Sequence, residues 1–71
     1  MYELNESMAN MLNSVKVLVV DDSRTLRRIL IRELNKIGIH NTLEAENGLV
    51  ALEIAQETSP DLMILDMEMP E

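Results

Sequence analysis

The chain has 71 residues, no cysteine, one aromatic residue, and 13 acidic against 6 basic side chains, for a formal charge of −7. That length admits one small domain, and the lack of cysteine excludes disulfides and thiolate metal sites, so oxygen ligands must hold any metal. The acidic balance, with Tyr2 as sole aromatic, argues against nucleic acid, whose phosphates need Lys and Arg and whose bases stack on rings. No apolar run approaches the roughly 20 residues of a membrane span, and the amino terminus lacks the features of a secretory signal. The chain is therefore expected in the cytoplasm, away from membranes. A hydrophobic fraction of 46% with 27% charged residues suits a folded domain.

Residues 1–14 form a polar leader. Its apolar positions Leu4, Met8, Met11 and Leu12, followed by Val15, recur at helical spacing. This segment reads either as a docked amphipathic helix or as a frayed leader, and no chemistry is assigned to it. Residues 15–71 form the domain proper. The run VKVLVV at 15–20 reads as a strand buried on both faces, as in a parallel sheet. It stops at Asp21 and Asp22, which with Ser23 supply capping side chains. From Thr25, the residues Leu26, Ile29, Leu30, Leu34 and Ile37 mark a helix with Arg24, Arg27, Arg28, Arg32 and Lys36 largely on its other side, and Gly38 stands at the left-handed cap position.

A second strand is expected at 42–45 after the turn His40-Asn41. A second helix follows from Asn47 or Gly48 to Glu57, with Leu49, Leu52, Ile54 and Ala55 as its apolar positions and Thr58, Ser59 and Pro60 ending it. Leu62, Met63, Ile64 and Leu65 read as a third buried strand, and Asp66 stands where that run stops. Strand, helix, strand, helix, strand with short connections predicts an α/β fold with βαβ crossovers and a parallel sheet.

Ligand sites in such sheets lie beyond the carboxyl ends of the strands, where Asp21, Asp22 and Asp66 fall. A helix cap or a turn former explains any one of them. If the first and third strands are neighbours, about 5 Å apart, the carboxylates converge, and a structural cap needs one acid rather than three. Such a group suits Mg²⁺, which takes a few carboxylates together with water and phosphate oxygens.

The run VKVLVVDDSRTLRRIL resembles the opening of response-regulator receiver domains, EAENGLVALEIA their second strand and helix, and PDLMILDMEMP the strand carrying their phosphoacceptor aspartate. The resemblance implies that Asp66 accepts a phosphoryl group from a histidine kinase. By the same resemblance Asp21, Asp22, Asp66 and the main-chain carbonyl of Glu68 hold Mg²⁺, and the chain is a phosphoacceptor rather than an enzyme. The acidic pair, Ser23 and Glu68 lean toward chemotaxis-type receivers. The family has five strands, whereas this sequence stops after the third, without counterparts of the later hydroxyl residue, lysine and switch aromatic. The expectation is thus the amino-terminal half of a flavodoxin-like receiver with strand order 2-1-3, completed by self-association as a homodimer or oligomer through the third-strand edge, and slow to be phosphorylated. Two other readings stand beside it: a self-associating βα fragment with a relic site, and a Mg²⁺-dependent phosphohydrolase of the haloacid-dehalogenase type, whose acid spacing Asp66-Met67-Glu68 mimics.

Overall fold

The computed structural model of the chain describes residues 6–65. In chain order these form α1 (Glu6–Ser14), β1 (Lys16–Val20), α2 (Arg24–Lys36), β2 (Asn41–Ala45), α3 (Gly48–Thr58) and β3 (Leu62–Leu65). The three strands make one parallel sheet of order β2-β1-β3, the α/β arrangement the sequence predicts. Lys16 through Val20 pair with Asn41 through Ala45, and Val17 through Val20 pair with Leu62 through Leu65.

β1 is central because it is apolar on both faces. Val17, Leu18 and Val19 are each 0% exposed. Val17 and Val19 point to one face, where Leu12 of α1, Leu30, Ile31 and Leu34 of α2, Ile39 and Ile64 pack against them. Leu18 and Val20 point to the other, against Ala45 and Ala51, with Leu43, Val50, Ile54 and Ala55 around them. α1 therefore docks by Leu12, while Met11 stays exposed; Leu4, the first position of its apolar stripe, lies outside the described residues.

The ends of the helices follow from local chemistry. The Ser23 side chain accepts from the Leu26 N–H at 3.2 Å and opens α2, and the Asn47 side chain accepts from the Val50 N–H at 2.8 Å and opens α3. At the far end of α2, Gly38 adopts φ +104° and donates to the Asn35 carbonyl, while the Ile39 N–H reaches Leu34. This is a Schellman closure, and it buries Ile39 beside Leu34. α3 ends at Ser59 in the left-handed region, with Pro60 behind it.

β3 is registered by a clasp at the start of β1. The Lys16 N–H donates to the Asp61 carboxylate (2.9 Å), the Asp61 N–H donates to the Lys16 carbonyl (2.8 Å), and Lys16 Nζ donates to the Thr58 carbonyl (2.7 Å). Lys16, the one basic residue outside α2, thus meets the open carbonyl end of α3, where a cation is favoured.

Three sequence expectations need correction. The four apolar residues of β3 are not buried: Leu62 is 50%, Met63 38% and Leu65 49% exposed, because β1 covers only one edge and neither face of β3 is fully covered among the described residues. In α3, Leu49 and Leu52 are exposed while Val50 and Ala51 face the sheet with Ile54 and Ala55; Leu49 and Leu52 fall four residues before the polar Glu53 and Gln56, on the outer side of the helix. In α2 the inner stripe is Arg27, Leu30, Ile31 and Leu34, which leaves Leu26, Ile29 and Ile37 on an exposed flank and brings Arg27 off the cationic face.

Because the core is thin, single deletions in β1 carry a large share of the stability. Leu18→Ala is expected to cost about 3 kcal/mol, a major part of what a chain this short has. Urea unfolding followed by circular dichroism should show the midpoint collapse, and an unchanged midpoint would contradict the central role of Leu18.

Candidate functional site

At the carboxyl end of β1 the ladder runs one step past the strand, with the Asp21 N–H donating to the Ala45 carbonyl at 3.1 Å. Asp21, only 5% exposed, then turns the chain: its Oδ1 accepts from the Ser23 N–H at 2.8 Å. Of the three capping candidates, Ser23 caps the helix, Asp21 closes the turn, and Asp22 between them is exposed.

Asp21, Asp22, Glu46, Asn47 and Gly48 line a pocket of about 70 Å³, with Val20 beneath and Leu65 of β3 as a further wall. The pocket thus lies where the β1–α2 and β2–α3 loops meet, the usual location of ligand sites in parallel sheets. Asn47 is occupied as a helix cap. The remaining polar side chains are carboxylates, and among the described residues no Lys or Arg pairs with Asp21, Asp22 or Glu46. Sequence reasoning passed over Glu46, although it follows the last residue of β2 just as Asp21 follows the last residue of β1.

The donors are of the kind a hard divalent cation takes: anionic oxygens without a basic partner. In number they fall short, since among the described residues no group of three or more candidate ligands is placed to hold a metal. Asp66 and Glu68, the other expected ligands, lie outside the described residues. The register bears on Asp66 all the same. Val20 is paired with Leu65, so the residues next in sequence after this pair are Asp21 and Asp66.

Residues 17–71 match the family model of the response regulator receiver domain. The chain is 41% identical over 57 residues to chemotaxis protein CheY-3 of Vibrio cholerae, an alignment covering 80% of this chain and 44% of that protein. It is 46% identical over 55 residues to sporulation initiation phosphotransferase F of Bacillus subtilis, covering 78% and 44%. Chemotaxis protein CheY1 of Helicobacter pylori is 43% identical over 58 residues, covering 80% and 47%. The chain spans a little under half the length of these relatives.

Beside the pocket lies an ionic clamp built on two arginines that the sequence reading placed on the side of α2 away from its apolar residues. Arg27 Nε donates to Glu44 Oε1 at 2.9 Å, Arg28 donates to Glu44 Oε2 at 3.2 Å, and a second Arg27 nitrogen donates to the Asp21 carbonyl at 2.6 Å. The spacing of Arg27 from Leu30, Ile31 and Leu34 was the available signal, since it puts Arg27 on the inner stripe. Arg27, by its hydrogen bond to the carboxylate, holds Glu44 below its ordinary value of 4.5; partial burial opposes this and Arg28 adds to it. A carboxylate with a depressed folded pKa stabilises the fold above its unfolded value and loses that contribution as pH falls through the folded one. The urea midpoint should therefore drop as pH falls below about 4.5, and drop less in Glu44→Gln. Equal slopes in the two proteins would contradict the clamp.

Proposed function

The chain belongs to the response-regulator receiver-domain family, and from that premise we propose that it is the phosphoryl-accepting portion of a two-component signalling protein, with a chemotaxis-type regulator as the closest reading. In this proposal Asp66 is the acceptor. One of its carboxylate oxygens forms a bond to phosphorus as the bond between phosphorus and a histidine nitrogen of the kinase breaks, leaving an acyl phosphate. Asp21, Asp22, Asp66 and the main-chain carbonyl of Glu68 would hold Mg²⁺. When bound, that ion neutralises the repulsion between a carboxylate and an incoming phosphoryl group.

The observation that carries this reading is the pairing of Val20 with Leu65 beside a pocket whose charged side chains are all carboxylates. The first acid past β1 and the first acid past β3 are consecutive to residues already paired across neighbouring strands. Asp21 is fixed by its own turn, and Asp22 is left free on the pocket side of that turn. The phosphohydrolase reading gains no support from this family membership, and phosphoacceptance without turnover is the reading proposed.

A second reading concerns assembly, and the exposed residues of β3 favour it. Leu62, Met63 and Leu65 lie on an edge strand with no neighbour on its outer side among the described residues. Open apolar edges pair with other strands. We infer that the 71-residue chain self-associates along β3, whether its acidic site is active or a relic.

Intact mass after incubation with Mg²⁺ and acetyl phosphate tests the first reading. Gain of one phosphoryl group, lost in Asp66→Asn, is the expected result; no gain, or the same gain in Asp66→Asn, would contradict it. Light scattering tests the second, with a dimer or larger species expected and a folded, monodisperse monomer as the contrary result.

A further inference from the structure

Arg27 forms no hydrogen bond or ion pair with a side chain of the acidic pocket among the described residues, yet it grips the pocket's backbone. Its side chain is 12% exposed, and its two side-chain hydrogen bonds go to different elements: the Glu44 carboxylate on β2 and the Asp21 carbonyl at the end of β1. The Asp21 carbonyl belongs to the planar peptide that also carries the Asp22 nitrogen. Holding that oxygen restrains the plane, and because the Ser23 N–H is held by Asp21 Oδ1 the following peptide is restrained as well, so the direction in which the Asp22 side chain leaves the chain is set between the two. The other side of Asp21 is already fixed, because its N–H donates to the Ala45 carbonyl, adjacent to Glu44 on β2. Asp21 is thus held through both its flanking peptides, and β2 supplies both anchors, one directly and one through the guanidinium.

We propose that Arg27 is a positioning residue for the acid pair, set by Glu44 and acting through the Asp21 carbonyl to hold Asp21 and Asp22 in the arrangement that receives a divalent cation. The proposal rests on the reading that these carboxylates hold Mg²⁺. Arginine suits the task because its rigid planar fork presents donors in fixed directions, one to a carboxylate and one to a carbonyl, where lysine offers a rotating point charge. Arg28 makes only the outer contact to Glu44 and is 61% exposed, so it supports Glu44 without reaching the peptide.

Charge and position make opposite predictions. Arg27 is a cation close to anionic ligands, so by Coulomb's law alone its removal would tighten Mg²⁺ binding. If it positions the acids, its removal weakens binding, as the loss of groups supporting a metal's ligands commonly does, by 10- to 100-fold.

The test is titration of the isotope-labelled chain with MgCl₂, following the amide resonances of Asp21, Asp22 and Ser23, with urea unfolding measured on each protein. In Arg27→Gln the apparent Kd for Mg²⁺ is expected to rise about 10-fold, with Arg27→Lys recovering part of the loss and Glu44→Gln falling between. A folded Arg27→Gln protein that binds Mg²⁺ as tightly as the parent, or more tightly, overturns the proposal. Should Arg27→Gln not fold, Arg27→Lys and Glu44→Gln decide the matter, and unchanged affinity in both overturns it. Absence of binding to the parent chain is a separate result, which overturns the metal reading itself and this inference with it.

Discussion

Every element of the structure is placed by the double burial of β1. Val17, Leu18 and Val19 have no exposed surface, and the strand is hydrogen-bonded along both edges. At roughly 25 cal/mol per Å² of apolar surface removed from water, three such side chains supply much of what a domain this small can gather. The alternation of side chains then distributes the layers: odd-numbered residues gather α1 and α2, even-numbered ones α3. Clasps at the two ends of β1 fix its register, Lys16 with Asp61 and Thr58 at the start, and Asp21 with Ala45 and Arg27 at the exit. A slip at either end would move the acidic turn relative to its neighbours.

Charge is segregated on the same frame. Five of the six basic residues lie on α2, and two of these are drawn to Glu44. Past the carboxyl ends of β1 and β2 the chain therefore carries acids without a basic partner among the described residues, the donor chemistry a hard cation takes. The clamp that tethers Arg27 also keeps it bonded to a carbonyl and to Glu44, leaving the pocket carboxylates available. Structure and electrostatics here depend on the same guanidinium.

The strands and the cap at Ser23 were legible because each rests on a local rule, whereas the sheet order 2-1-3 followed only from the resemblance to receiver domains. Apolar runs read as strands, Ser23 reads as a capping residue, and Gly38 reads as the left-handed residue it is, while the capping role of Asn47 came only with the structure. Much of what was not legible depended on contacts distant in sequence. Arg27 looks like one more base on a cationic helix until β2 brings Glu44 beneath it, and Lys16 looks like an interruption in a strand until α3 ends against it. In α3 the outer position of Leu49 and Leu52 goes with the polar Glu53 and Gln56 four residues on, a local signal that a count of apolar positions passes over. Of the site, Asp21 and Asp22 were read as strand-end acids, whereas Glu46 was passed over although it follows the last residue of β2 in the same way.

The central claim is that the acids past β1 and past β3 share one cation. Replacing Mg²⁺ with paramagnetic Mn²⁺ and recording which backbone amides broaden measures that sharing directly. The account predicts broadening at residues 21–23, 46–48 and 66–68 together, with the Lys16 and Asp61 end of the sheet spared. Broadening at 21–23 that leaves 66–68 untouched, or broadening scattered along α1 and α2, would contradict it.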